Sequence, residues 1–353
     1  MMSSVFLLIV IGIAELYSIA HSNGGDDLDN FKKQLLFVII GSIILFILLL
    51  IDFQNLASYS RFLYFIGAAA LIGVLFFGKV VNGTQGWYQI GSFTLQPVEF
   101  VKVITIIFLA KYFSTRNLGA NSIRHILFSG LGVGLFCILV MRQPDFGSAM
   151  ILGLLWFIML IASGVGKKYI ISMITIFLLL LMAGWFFFFQ DYQKDRILTF
   201  LNPQEGSLKE GYNINQAIIA IGSGGLFGRG IGFGSQSQLK FLPETESDFI
   251  FAVTGEQLGF LGASLVIVLF TAILLRIINF AKNDIDRFSQ LIMTGITSFM
   301  LSQFFINIGM NMGIVPVTGI TLPLVSYGGS SLVSTLFLLG IIFSIRRLRS
   351  QIE

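Results

Sequence analysis

The chain has 353 residues, of which 55% are hydrophobic and only 11% are charged. A soluble domain of this length would carry roughly 25% charged residues, so the composition excludes a soluble fold and indicates a chain whose solvent is mostly lipid. The net charge of +4 comes from basic residues that stand singly between apolar runs, which excludes the basic stripe of a nucleic-acid-binding protein.

Apolar runs of near 20 residues, the length that a helix needs to cross the hydrocarbon core, recur along the whole chain. They predict an all-α integral membrane protein of about ten transmembrane helices, organised as one domain over residues 1–353. No basic residue precedes the first run, so it is interpreted as a retained span rather than a signal peptide. The predicted spans are 4–21, 34–51, 62–78, 99–114, 125–141, 146–164, 168–190, 249–275, 288–311 and 327–345.

Lys and Arg residues in the connecting loops predict the orientation, because cytoplasmic loops carry an excess of them. The bias places both termini in the cytoplasm and residues 79–98, 191–248 and 312–326 on the outer face. A connection as long as 191–248 is unusual unless it is functional. Part of it predicts an amphipathic helix along the membrane surface, with apolar positions at Ile214, Ile218, Ile219 and Leu226.

Two ionisable residues at the start of the fourth span are candidate site residues, since charged groups at membrane depth are costly. Glu99 and Lys102 are three residues apart, which places them on one helix face where they can pair. A structural ion pair and a role in a site remain equally open. Pro97 just before them is typical of a helix start. Glu15, inside the first span, receives no role from the sequence.

Three further acidic residues lie near the outer loops. Asp145 falls in a tight turn between the fifth and sixth spans, where turn chemistry is the simpler explanation. Asp248 stands where the long loop joins the eighth span. It is either a helix N-cap or first-turn acid that the helix dipole stabilises, or a carboxylate positioned as a general base. Glu256, two turns deeper, is a supporting group or a pair partner.

Cations on the outer side could contact a phosphate, since Arg and Lys both bind phosphate oxygens. The candidates are Arg142, Arg196, Lys240 and Lys102, although solvated loop charges explain any one of them taken singly. Trp87 stands at an outer boundary, where aromatic belts are common. The glycine-rich run 221–234 mimics a nucleotide fingerprint, but no strand precedes it, so tight turns and close backbone approach are the preferred interpretation.

Several of these segments, taken in order, resemble the SEDS proteins (shape, elongation, division and sporulation), and within them RodA more than FtsW. The similar segments are GSFTLQPVEFVK at 91–102, RQPDFG at 142–147, YQKDR at 192–196 with FLNP at 200–203, FLPE at 241–244 with DFIFAV at 248–253 and Gly255-Glu256, and NIGM, PVTG and LPLVSYGGSS between 307 and 331. The chain departs from the family pattern at Gly86, Val98, Glu246 and Ser247, where Arg, Ser, His and Thr are usual. The missing Arg before Trp87 leaves open which cations hold a pyrophosphate.

The resemblance implies a peptidoglycan glycosyltransferase that polymerises lipid II into glycan on undecaprenyl pyrophosphate during cell elongation. It implies a class B penicillin-binding protein, a transpeptidase, as partner, and a place in the bacterial cytoplasmic membrane. Asp248 would be the general base of an inverting transfer. Glu99, Lys102, Trp87, Arg142, Asp145, Arg196, Lys240 and Glu256 would bind or surround the substrate. A divalent cation, Mg²⁺ or Mn²⁺, suits pyrophosphate oxygens, but the sequence marks no ligands for it.

Two other classes of function stay open at this point. A flippase for lipid-linked precursors would spread intramembrane charges through the full depth of a central cavity, whereas here they gather toward the outer half. A scaffold that only binds a penicillin-binding protein would not need a carboxylate at position 248.

Overall fold

A computed structural model of the chain describes residues 1–22, 28–51, 54–81, 83–116, 122–187, 194, 208–239 and 241–350. The structure is mostly helical, at 76%, which confirms the predicted fold class. The helices are α1 (Met2–Ser22), α2 (Asp29–Leu50), α3 (Gln54–Phe77), α4 (Pro97–Ser114), α5 (Ser122–Met141), α6 (Phe146–Ala162), α7 (Lys167–Phe187), α8 (Leu208–Ser223), α9 (Ser235–Gln238), α10 (Ile250–Lys282), α11 (Arg287–Asn311) and α12 (Gly329–Ser350).

Eight helices in the described part of the chain are long and apolar enough to cross a membrane: α1, α2, α3, α5, α7, α10, α11 and α12. The two other predicted spans coincide with α4, whose start carries the buried pair Glu99 and Lys102, and with α6, an apolar helix of 17 residues. The chain is therefore a multi-pass membrane protein, and the count of ten spans remains a prediction.

A small sheet between α3 and α4 was not predicted. Strands β1 (Lys79–Val81), β2 (Thr84–Ile90) and β3 (Phe93–Leu95) form an antiparallel sheet in the order β1-β2-β3. The Tyr88 hydroxyl donates a hydrogen bond of 2.9 Å to the carbonyl oxygen of Ala70, which attaches the sheet to α3. Strands of three to seven residues give too short an alternation of polar and apolar side chains to stand out from the neighbouring spans.

The predicted helix within the long loop exists, and its isoleucines divide between two faces. Helix α8 buries Ile214, Ala217 and Ala220, whereas Ile218 and Ile219 are exposed. The small side chains let α8 pack closely against the start of α10, where Phe249 and Ala252 complete the cluster. Ile218 and Ile219 thus lie on the face that a helix along the membrane surface would turn toward lipid, whereas Ile214 packs inward and Leu226 lies beyond the end of α8; the position along the surface stays a prediction.

Several connecting segments meet at one end of the bundle, the loop face, which comprises the described residues 79–81, 83–96, 142–147, 224–239, 241–249 and 312–331. The Tyr327 amide donates to the Glu246 carbonyl at 2.7 Å, and the side chain of Asn30 donates to the Glu246 carboxylate at 2.7 Å. The Gln34 amide donates to the carbonyl of Ser326 at 3.1 Å. These bonds fix the positions of the loops relative to α2 and to each other.

Candidate active site

Asp248 lies on the loop face, in the turn that precedes α10. The residue at the N-cap of α10 is Phe249, which makes no side-chain capping bond. The Asp248 amide donates to the Glu244 carbonyl at 3.1 Å, which closes the turn. Its side chain is half-buried. The structure therefore does not use the Asp248 carboxylate as a helix cap, so its oxygens are available for chemistry.

Two asparagines of α11 hold the backbone of Asp248. The Nδ2 groups of Asn307 and Asn311 donate to the Asp248 carbonyl at 3.0 and 2.9 Å. Oδ1 of Asn311 accepts from the Ala252 amide at 3.0 Å, so Asn311 caps α10 from a neighbouring helix. Asn307 also donates to the Ile320 carbonyl at 2.7 Å. Both asparagines are fully buried, and together they form the asparagine clamp.

The sequence analysis missed the role of this clamp. Asn307 was noticed only as part of a family motif, and Asn311 was not singled out. The available signal was two amides four residues apart within an otherwise apolar span, since polar side chains at membrane depth indicate function.

The Asp248 carboxylate faces Gly319, a residue without a side chain. Gly319 has a φ of +70°, and a Cβ there would lie 3.6 Å from Oδ2 of Asp248. Burial and the nearby charge of Glu244 raise the pKa of Asp248 from 3.8 to about 7, while a hydrogen bond from Ser247 opposes the shift. A carboxylate with this pKa can both take and release a proton near neutral pH.

The predicted pair of Glu99 and Lys102 is confirmed. The Lys102 ammonium lies 2.7 Å from Oε1 of Glu99, and both side chains are buried in α4. The ammonium also lies 5.9 Å from the centre of the Phe299 ring on α11. Oε2 of Glu99 is buried without a hydrogen-bond partner. Because a buried charge is costly unless it is paired, each member of the pair stabilises the other.

The segment 318–331 contacts three of the predicted motifs. Gly319 approaches Asp248, and the Ser330 hydroxyl accepts from the Gln96 amide at 2.9 Å, just before α4 begins. Gly147, at the start of α6, packs so closely on the Thr318 carbonyl that it has no room for a side chain. The starts of α4, α6 and α10 therefore meet around one segment.

Asp145 and its neighbours form the turn that the sequence predicted. Oδ1 of Asp145 accepts from the Ser148 amide at 2.9 Å, which makes Asp145 the N-cap of α6. Arg142 is exposed. Gln143 is buried, and its Nε2 group has no hydrogen-bond partner. Gln143 is thus the residue of this motif whose side-chain N–H donors are buried and unpaired. The sequence analysis did not select it.

Glu256 binds backbone groups of α9. Its Oε1 and Oε2 accept from the amides of Gln236 and Ser237 at 2.7 and 2.9 Å. A Cβ on Gly234 would approach to 2.6 Å of the same carboxylate. The fully buried Glu256 therefore holds α9 in place, in the segment that leads to Asp248. This matches the supporting role, one of the two roles that the sequence left open for Glu256.

The glycine-rich run 221–234 forms backbone hydrogen bonds to α10 at the point where that helix is interrupted. Gly259 has non-helical torsion angles (φ 67°, ψ −164°) in the middle of this helix. The amides of Arg229 and Gly230 donate to the carbonyls of Glu256 and Gln257, both at 3.0 Å, so the interrupted turn keeps its hydrogen bonds. A Cβ on Gly228 would overlap the Gln257 carbonyl oxygen. Close backbone approach is therefore confirmed as the reason for these glycines.

The structure gives less information about the other predicted site residues. Trp87 is half-buried in β2, opposite Lys79 of β1. Arg196 and Lys240 lie outside the described residues. Among the residues that the structure describes, no three His, Cys, Asp or Glu side chains come together as metal ligands. We therefore assign no metal ligands and derive no step through a divalent cation.

The family model for FtsW, RodA and SpoVE, described as cell cycle protein, matches residues 1–351. The chain belongs to the FtsW/RodA/SpoVE family. This FtsW/RodA/SpoVE chain is 37% identical to stage V sporulation protein E of Bacillus subtilis, over 97% of this chain and 94% of that protein. It is 32% identical to the peptidoglycan glycosyltransferase MrdB of Escherichia coli, over 98% and 94%.

Solved structures of other family members share the fold. A chain from a peptidoglycan synthase complex that coordinates polymerization and crosslinking superposes with a TM-score of 0.84 at 26% identity, over 99% of this chain and 98% of that chain. The rod shape determining protein RodA of Thermus thermophilus gives a TM-score of 0.74 at 25% identity, over 99% and 96%. The FtsW/RodA/SpoVE fold thus extends over nearly the full length of the chain.

Proposed function

We propose that this protein is a peptidoglycan glycosyltransferase that polymerises lipid II into glycan strands, with Asp248 as the general base. The observation that carries the proposal is a half-buried carboxylate that caps no helix and whose backbone is held by the asparagine clamp. Family membership and the naming of curated relatives as peptidoglycan glycosyltransferases support the reaction class.

The chemistry is a direct displacement at the anomeric carbon of the donor sugar. The acceptor hydroxyl oxygen forms the new bond to that carbon while Asp248 takes the hydroxyl proton. The bond from the carbon to the pyrophosphate oxygen breaks, and its electron pair leaves with the lipid pyrophosphate. One displacement inverts the carbon, so an α-linked donor gives a β-linked glycan without a covalent intermediate.

The raised pKa of Asp248 suits this role, because a base is most effective when its pKa lies near the working pH. The Lys102 ammonium carries positive charge into the bundle below the loop face, where it offsets charge on the departing pyrophosphate. Glu99 holds the ammonium in place through their contact of 2.7 Å. Arg142 and Trp87 are the described candidates for further contacts with the substrate, and Arg196 and Lys240 remain predictions.

The lipid-linked substrates place the reaction at a membrane surface. We assign the loop face to the outer side of the bacterial cytoplasmic membrane, with both termini in the cytoplasm, because the short loops of the opposite side carry most of the Lys and Arg residues. The lipid tails of both substrates stay in the bilayer. A class B penicillin-binding protein would cross-link the strands, a pairing supported by the similarity to a synthase complex that coordinates polymerization and crosslinking.

The test is polymerisation of lipid II by the purified full-length protein in detergent, alone and with its transpeptidase partner. Asp248→Asn should lose activity by about 10²–10⁴-fold, the usual effect of removing a positioned base. The matched control is Asp286→Asn, because Asp286 caps α11 through the Ser289 amide and asparagine can cap equally well.

Three results would separate the candidate functions. Glycan made by the Asp248→Asn variant at the wild-type rate would refute the general base. Movement of lipid II across vesicles without polymer would favour the flippase. Tight binding of the partner with neither activity would favour the scaffold.

A further inference from the structure

A further buried acid, Glu15, lies between α1 and α10, and the proposed reaction does not use it. Glu15 is 1% exposed and lies seven residues before the end of α1, about 10 Å below the loop face at 1.5 Å per residue. Neither of its carboxyl oxygens has a hydrogen-bond partner. Within the described residues the ion pairs are Lys33 with Asp29 and Lys102 with Glu99, so no cation there pairs with Glu15.

The polar side chain that faces Glu15 across the interface is Thr254. The Thr254 hydroxyl donates its proton to the carbonyl of Ile250 at 3.0 Å, within its own helix. It therefore presents lone pairs toward Glu15. A carboxylate also presents only lone pairs, so while Thr254 donates to Ile250 the two groups can bond only if a proton or another cation lies between them.

Two further unpartnered polar groups lie beside this contact. Ser18 is one turn from Glu15 on α1, and Gln257 is one turn from Thr254 on α10; both are buried, and neither the Ser18 hydroxyl nor the Gln257 amide has a partner. Glu15 lies seven residues before the end of α1 and Gln257 lies seven residues after the start of α10, so both lie about 10 Å below the loop face at 1.5 Å per residue.

We propose that the interface of α1 and α10 contains a proton-binding site within the membrane, in which Glu15 is a neutral carboxylic acid that donates its O–H to the Thr254 hydroxyl oxygen. An isolated charged carboxylate at this depth would be far more costly than a neutral acid. The remaining Glu15 oxygen accepts from the Gln257 amide, directly or through one buried water. The site joins α1 to the half of α10 that begins two residues after Asp248.

The occupant could also be a sodium ion, because the same side chains offer five oxygens to a small cation. The two possibilities share one requirement, a positive charge beside the carboxyl group. A single proton satisfies it without an ion having to lose its water in a sealed interface, and for that reason we assign the proton.

Infrared spectroscopy of the purified full-length protein at neutral pH tests the assignment. The carbonyl stretch of a protonated carboxyl group lies apart from the amide and carboxylate bands. Glu15→Gln should remove one such band per chain, whereas Asp248→Asn, the matched control, should leave the Glu15 band in place. Thr254→Val should keep the band and move it to higher frequency, because the acid loses its acceptor. Exchange of sodium for potassium should change nothing.

Carbon-13 labelling of glutamate in the wild type gives a second measurement that does not depend on the variant folding, since it shifts a glutamic-acid band and leaves aspartic-acid bands unmoved. A wild-type spectrum without a labelled protonated band would overturn the proposal, as would loss of a carboxylate band in Glu15→Gln. If a protonated band disappeared when sodium was added, the occupant of the site would be a sodium ion and not a proton. None of these readouts depends on glycan synthesis, so this inference can fail while the proposed function stands.

Discussion

Removal of the Asn311 side chain is the sharpest test of how the proposed base Asp248 is positioned. Asn311→Ala takes away one of the two acceptors of the Ala252 amide, which keeps its bond of 3.0 Å to the Phe249 carbonyl, and one of the two donors to the Asp248 carbonyl. Asn307 still holds that carbonyl at 3.0 Å, so the turn is loosened rather than released. The loss of these two buried hydrogen bonds costs about 1–3 kcal/mol of folding free energy.

The expected loss of activity is larger than the loss of stability. A misplacement of about 1 Å at a reacting group lowers the rate by about 10²-fold. Asn311→Ala should therefore lower kcat by about that factor while KM changes little, because Asn311 contacts protein and not substrate. Glycan synthesis at several lipid II concentrations measures both constants, and thermal unfolding in the same detergent measures stability.

Two further variants separate positioning from general damage. Ile296→Ala leaves a cavity in the fully buried part of the same helix, far from the loop face, and should cost about 2–5 kcal/mol of stability without lowering kcat. Asn311→Asp keeps an acceptor for the Ala252 amide but turns a carboxylate toward the Asp248 carbonyl, so it should be at least as inactive as Asn311→Ala. If Asn311→Ala unfolds earlier yet keeps the wild-type kcat, the clamp does not position the base.

Three other outcomes are expected. The rate of glycan synthesis should rise with pH through about 7, where the half-buried Asp248 loses its proton and becomes a base; a rate that falls over this range would indicate that the residue acts as an acid. Lys102→Met should lower the melting temperature markedly, because an unpaired buried charge costs about 3–5 kcal/mol, and adding Glu99→Gln should restore much of the loss; equal melting of the single variant and the wild type would contradict the pairing argument. Gly228→Ala should disrupt the break in α10, both through overlap and through its φ of +81°, whereas Gly222→Ala has open space; thermal unfolding of the two variants should differ clearly, and equal stability would show that the loop can shift.

The spans could be predicted from the sequence because each one is a local property. A run of apolar residues determines its own helix, so the apolar segments and the fold class follow directly. The start of α4 at Pro97 and the contact of Glu99 with Lys102 follow in the same way, since their partners are within one turn. The sheet was missed because β1 and β3 have only three residues each.

The site could be predicted only in part, because its decisive contacts join distant residues. The position of Asp248 at the end of a loop indicated a role, but its fixation depends on Asn307 and Asn311, which follow it by 59 and 63 residues. Helical periodicity placed Glu256 below Asp248, whereas its carboxylate binds α9, about twenty residues upstream. Sequence spacing reports which residues share a helix face and says nothing about which loop that face will meet.

The interrupted helix changes what a genetic screen of this protein would recover. Gly228 and Gly259 contact each other through main-chain atoms, and their function lies in the absence of a side chain. Inactive alleles at these positions would therefore arise from substitution by any residue, including alanine. Polar positions such as Asp145 would instead tolerate a conservative replacement. A screen in which these glycines tolerate no substitution, while capping residues tolerate conservative ones, would locate the break in α10 without any structure.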